Sequence, residues 1–91
     1  MTKESILNAI IARVGRAGFT MWRIGVTNDP VGRRMYWGET EHKSVTGWTQ
    51  WAADSLSDAQ EIESHFINDK KMKVGTGGDL SPDKTVYVYI F

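Results

Sequence analysis

Over residues 3–14 the apolar side chains Ile6, Leu7, Ile10, Ile11 and Val14 recur at helical spacing, which predicts an amphipathic helix that covers a core. Gly15 and Gly18 end the run. The period then changes. Over 19–26 the chain alternates, with Trp22, Ile24 and Val26 on one face and Arg23 and Gly25 on the other, which predicts a strand. Thr27-Asn28-Asp29-Pro30 stops that strand. Asp29 suits a helix N-cap, and Pro30 suits the first helical position, where no N–H is needed. A short helix over 30–36 follows, with Arg33 and Arg34 on its first turns, close to the strand end. A polar strand end that faces paired cations is a candidate site for an anionic ligand.

Residues 38–47 are polar and predict a loop. His42 lies in it without a second His or Cys at ligand spacing, so it reads as a solvated side chain rather than a metal ligand. Gly47-Trp48-Thr49-Gln50-Trp51 predicts a short strand whose two tryptophans face opposite sides. Ser57-Asp58-Ala59-Gln60 has the form of a capping box, and the helix it opens runs to about Ile67, with Ala59, Ile62 and Phe66 as its buried stripe. Glu63 stands at the edge of that stripe, and Glu61 points further round. Residues 68–84 predict a turn and loop, rich in lysine and then in glycine over 75–78. The glycine-rich piece lacks the Gly-Lys-Ser/Thr ending of a phosphate loop and reads as a connection. Over 85–91 alternation returns, with Tyr87 and Tyr89 on one face and Val86, Val88 and Ile90 on the other. Together these elements predict a single α+β domain, a small and mainly antiparallel three-stranded sheet covered by two longer helices and one short one. Ile10, Ile24, Ile62, Phe66 and Val88 are its expected core, and the last strand is expected to pair antiparallel with 19–26.

The length, 91 residues, allows one modest core, and 41% hydrophobic with 24% charged residues is a globular composition. Eleven basic and eleven acidic side chains cancel, which argues against nucleic-acid binding by the whole surface and leaves a local basic patch as the alternative. Without cysteine there is neither a disulfide scaffold nor a Cys-based zinc site. The first residues do not have the pattern of a signal peptide, and no stretch reaches the roughly 20 apolar residues of a membrane span. A cytoplasmic protein without a membrane partner is the expectation.

The order strand, turn with Asn and Pro, Arg-bearing helix, strand, then a helix with Ile62-Glu63-Ser64-His65-Phe66-Ile67 resembles the GIY-YIG nuclease superfamily over about 22–67 and, separately, in the last strand. Arg23-Ile24-Gly25 stands where that family has Tyr-Ile-Gly. Arg33 falls at the place of its catalytic arginine, and Glu63 looks like the glutamate that holds its divalent metal. The family's first strand should precede Trp22. Here Thr85-Val86-Tyr87 resembles it instead, so the resemblance implies a circular permutation with Tyr87 in the place of the first tyrosine. It further implies a site in which Tyr87, Arg33 and Glu63 converge, with Mg²⁺ or Mn²⁺ on Glu63 and with Arg23 and Arg34 adding charge for a DNA or other nucleic-acid phosphate. The tyrosine of Tyr-Ile-Gly is Arg23 here. A tyrosine hydroxyl can relay protons near neutral pH and a guanidinium cannot, so phosphate binding with weak or absent endonuclease activity is the expected outcome.

The competing class is a non-catalytic module that presents Trp37, Trp48 or Trp51 and the arginines to a protein or a single-stranded nucleic acid. A small structural protein, dimeric through exposed tryptophans, is a third. The sequence alone leaves these open.

Overall fold

Helix α1, Lys3–Val14, is opened by Thr2, whose hydroxyl accepts from the Ser5 N–H, and closed by Gly15, whose N–H bonds the Ile11 carbonyl at a φ of 89°. The structure is a computed structural model that describes residues 1–15, 18–76 and 80–91. A single 3₁₀ turn, Phe19–Met21, leads into strand β1, Arg23–Thr27. Helix α2, Pro30–Met35, starts as the sequence implies: the Asp29 carboxylate accepts from the Gly32 N–H, and Pro30 fills the first turn. One π turn, Tyr36–Thr40, continues it. Strand β2 is Thr49–Ala53, helix α3 is Leu56–Asn68, strand β3 is Lys73–Val74 and strand β4 is Val86–Ile90.

The four strands form one mixed sheet in the order β2-β4-β1-β3. β4 pairs antiparallel with β1, placing Gly25 opposite Tyr89 and Thr27 opposite Tyr87, and antiparallel with β2 on its other side. The pairing of β4 with β1 is the one the alternation predicts. The fourth strand is a correction to the three-stranded, mainly antiparallel expectation. After α3 the backbone turns at Lys71, φ 63°, and runs parallel to β1 along its free edge. There the Lys73 N–H bonds the Trp22 carbonyl and the Gly75 N–H bonds the Ile24 carbonyl. An open row of N–H and C=O groups is costly to leave unpaired, and this short segment closes it.

Three boundaries move as well. The first strand begins at Arg23 rather than Phe19, because 19–21 coil into the 3₁₀ turn. The helix expected from Ser57 is capped two residues earlier, by Ser55, whose hydroxyl accepts from the Asp58 N–H. The expected loop at 38–47 loses its first three residues to the π turn. The reading of 75–78 as a connection falls in part on 77–78, outside the described residues.

One face of the sheet carries the core. Ile24, Val26, Val86, Val88 and Ile90 pack against Ile6 and Ile10 of α1 and against Ala59, Ile62 and Phe66 of α3. All five predicted core residues are fully buried. Each such side chain contributes about 1.5–3 kcal/mol by leaving water. The opposite face carries aromatics. Trp48 stacks on Tyr89 with ring centroids 4.4 Å apart and also on Phe91 at 5.4 Å, while Trp37 lies 5.5 Å from Phe91. Among the described residues no helix is long and apolar enough to cross a membrane.

Candidate functional site

The polar edge of the sheet is built where the chain leaves β3. Gly75 and Thr76 continue alongside β1, and three distant side chains end on them. Arg33, from α2, donates from Nη2 to the Gly75 carbonyl at 3.3 Å. Tyr89, from β4, donates its hydroxyl proton to the same carbonyl at 2.6 Å. Glu63, from α3, accepts from the Thr76 hydroxyl, whose oxygen in turn accepts from the Val26 N–H at 2.8 Å. Arg33 and Glu63, thirty residues apart in sequence, therefore meet on two consecutive residues.

Tyr89 crosses β1 to get there. Its cross-strand partner is Gly25, and a Cβ at that position would collide with the Tyr89 ring. The absent side chain is what lets a phenol from β4 pass over β1 and reach the strand beyond it. The Tyr89 hydroxyl also accepts from Trp37 Nε1 at 3.1 Å, so it is fully used as donor and acceptor. Burial pushes the Tyr89 pKa above the ordinary phenol value, with the Trp37 N–H and the nearby Arg33 guanidinium pulling the other way. Tyr89 is a neutral hydroxyl at physiological pH.

Glu63 is half-buried, and burial also lifts its carboxyl above the ordinary carboxylate range, opposed by the hydrogen bond from Thr76. Arg33 lies over Tyr36, with the guanidinium carbon 4.5 Å from the ring centre, and 5.8 Å from the Trp37 ring. Its Nε is buried without a hydrogen-bond partner among the described residues. Arg23 lies against the same indole at 4.5 Å and donates to the Val74 carbonyl. Trp37 thus gathers two guanidiniums around one ring.

The residues singled out from the sequence divide accordingly. Arg33 and Glu63 are brought together. Arg23 stands beside them through Trp37. Arg34 is exposed and makes no hydrogen bond or ion pair among the described residues. Tyr87 lies opposite Thr27, half-buried, and also makes no side-chain hydrogen bond among them; the tyrosine that reaches the cluster is Tyr89. Sequence reasoning passed over Tyr89, Gly75 and Thr76 as site residues, and it offered Trp37 as an exposed platform rather than as a buried partner of Tyr89. One signal for Tyr89 was present: it shares a face with Tyr87, and Gly25 offers a gap only opposite one of them. The tryptophans offered as ligand platforms are engaged internally. Trp37 is buried, Trp48 is half-buried and its Nε1 donates to Gln50, and Trp51 packs against the core.

Among the described residues no three His, Cys, Asp or Glu side chains gather to hold a metal ion. Glu63 alone offers a carboxylate at the cluster. No family model, no curated protein and no solved structure matches the chain.

Proposed function

We propose that the domain binds the phosphodiester backbone of nucleic acid at the Arg33–Glu63 edge of the sheet, in a GIY-YIG-like arrangement, and cleaves it weakly or not at all. The observation that supports this is the meeting of Arg33, Glu63 and Tyr89 on Gly75 and Thr76. The resemblance implies Tyr87 beside Arg33 and Glu63, and Tyr89 stands there instead. Arg33 supplies a fixed guanidinium for a phosphate oxygen, and Arg23 adds a second charge against the same Trp37 ring. Arg34, exposed on α2, contributes a phosphate contact without a fixed geometry.

The same cluster is poorly equipped for proton transfer. A base near neutral pH needs a pKa near the working pH. Tyr89 is held neutral and is already hydrogen-bonded at both its functions. Arg23 stands where the resembled family has a hydroxyl, and a guanidinium offers donors only, with no acceptor for a proton relay. A Mg²⁺ or Mn²⁺ ion would take Glu63 as its protein carboxylate, with water and substrate oxygens for the rest, and when bound would polarise a phosphoryl oxygen.

A protein-interaction module is the second reading. It is supported by Val31, 71% exposed, and Met35, 53% exposed, one turn apart on α2 beside Arg34. The test titrates short single- and double-stranded DNA at low and moderate salt and incubates plasmid with Mg²⁺ or Mn²⁺. Salt-sensitive binding that Arg33→Ala weakens, with little cutting, is expected. Robust metal-dependent cutting abolished by Glu63→Gln would overturn the non-cleaving half. No binding at low salt, with Arg33→Ala indistinguishable from the parent, would discard nucleic acid in favour of the protein partner.

A further inference from the structure

A second feature of the surface lies on the other side of Arg23. A pocket of about 160 Å³ opens between β1, β3 and the loop after the π turn, lined by Met21, Arg23, Lys43, Ser44, Lys73 and Phe91. Three of the six lining residues carry cationic side chains and none an acidic one; Phe91, last in the sequence, also brings a main-chain oxygen that accepts from the Arg23 N–H at 2.7 Å. They come from three parts of the chain. Arg23 and Lys73 are direct partners in the parallel pairing of β1 with β3, and Lys43 is placed by its N–H bond to the Trp37 carbonyl at 2.9 Å.

Of the three cations, Arg23 is the one whose charged group has fixed partners, while Lys43 and Lys73 are placed through their backbones. Arg23 cannot swing out into solvent as a surface arginine would. Its guanidinium is pinned by the Val74 carbonyl and by the Trp37 face, and its other N–H groups make no bond among the described residues. Lys73 follows from the strand pairing, and the Lys43 backbone is fixed at Trp37. Three cationic side chains lining one small pocket favour an anion there. The remaining lining matches the rest of a nucleotide. Ser44 adds a hydroxyl donor. Met21, 76% exposed, and Phe91, half-buried with its ring also stacked on Trp48, supply apolar lining of the kind on which a base or sugar rests.

We propose that this pocket seats one phosphate of a nucleic-acid strand, bound by Arg23, Lys43, Lys73 and Ser44, with the attached base or sugar on Met21 and Phe91. The inference rests on the nucleic-acid reading above and extends it. Arg23 and Arg33 lie against the same buried Trp37 ring, so the Arg33–Glu63 edge and this pocket are neighbours that one strand can reach together. The seat is insensitive to base identity, because its charged groups address phosphate alone.

Two measurements separate this inference from the reading it rests on. The first titrates inorganic phosphate into ¹⁵N-labelled protein against chloride at equal ionic strength. Saturable shifts at Arg23 Nε–H and at the Ser44 and Lys73 amides are expected; shifts no larger than those from chloride would overturn the pocket as a phosphate seat. The second measures binding of a short oligothymidylate to the parent and to Lys43→Gln and Lys73→Gln, which alter exposed side chains and leave the fold intact. Each change should weaken binding several-fold and lower the slope of log K against log[salt] by about 1, equally for other base sequences. A parent that binds while both variants bind as well as it does would overturn the inference and leave the Arg33–Glu63 reading standing. A parent that ignores the oligonucleotide yet shows the phosphate shifts would overturn the nucleic-acid reading and leave an anion seat.

Discussion

Removing one oxygen from Tyr89 tests the construction of the site most directly. Tyr89→Phe keeps the ring that stacks on Trp48 and fills the space over Gly25, so the packing is nearly conserved. What goes is the hydroxyl that donates to Gly75 at 2.6 Å and accepts from Trp37 Nε1 at 3.1 Å. Gly75 keeps the Arg33 bond, so its loss is that of an ordinary hydrogen bond, about 0.5–1.5 kcal/mol. Trp37 Nε1 is buried and keeps nothing, and an orphaned buried donor costs about 1–3 kcal/mol. The expected total is roughly 2–4 kcal/mol, a large part of the stability of so small a domain. At about 4–8 °C per kcal/mol for a domain of this size, the melting temperature should fall by roughly 8–30 °C. Thermal unfolding followed by near-UV circular dichroism reads it. A variant that melts within about 2 °C of the parent would refute the reasoning, because it would mean that the hydroxyl joins nothing that water does not replace.

Three further expectations follow from the same framework. Glu63 has a raised pKa in the folded state, so it binds its proton more tightly folded than unfolded, and the stability tied to it is full below about pH 4.3 and lost as pH rises through the higher folded value. Glu63→Gln should therefore be at least as stable as the parent at pH 7 and show a flatter stability profile above about pH 4, by urea titration at several pH values; a steeper profile would mean that the carboxylate is stabilised rather than strained. Phe66→Ala should cost about 3–5 kcal/mol, since Phe66 is fully buried and stacks on Phe19 at 6.0 Å; urea midpoints within error of the parent would show the α3 stripe to be wrongly placed. Asn28→Ala should free residues 81–85, because the Asn28 side chain accepts from the Ser81 N–H at 2.7 Å and donates to the Ser81 and Thr85 carbonyls; limited proteolysis should cut there sooner than in the parent, and unchanged cleavage would deny Asn28 that role.

The elements that bury one face were legible, and the elements that exist through their neighbours were not. Burial on one side fixes the period of α1, α3, β1 and β4, so Ile10, Ile62, Ile24 and Val88 could be placed in the core from spacing alone. β3 has two residues, Lys73 and Val74, and both are exposed. It carries no period, and it is a strand because the free edge of β1 lies beside it. The start of α3 turned on two competing serines. Ser55 prevails because it brings Leu56 into the helix and against the core, which Ser57 as cap would forgo. The π turn holds Gly38 and Thr40, poor helix formers, and is anchored by Trp37, whose indole N–H reaches Tyr89 from across the fold. The resemblance pointed to Arg33 and Glu63, and their side chains end on the neighbouring residues Gly75 and Thr76. Which of two same-face tyrosines joins them depends on the register of β4 against β1, and that is set by pairing rather than by alternation.

Net charge is the sequence property most open to misreading here. Eleven cations and eleven anions sum to zero, yet a charge acts on a ligand only within about 8–10 Å at physiological salt, so the sum over the chain is not what a phosphate meets. Several acids are already committed. Asp29 caps α2, Glu41 accepts from Tyr36, Glu61 pairs with Lys3 at 2.7 Å and Asp69 with His65 at 3.0 Å. Arg23, Lys43 and Lys73 are gathered without an acid in the lining of their pocket, and Arg33 is turned toward the same indole as Arg23. Folding thus separates charges that the sequence leaves balanced. A strand lying along this edge would displace counterions from a few phosphates only. Binding should then show a shallow salt dependence, set by those few contacts, and each lysine removed from the pocket should lower it further.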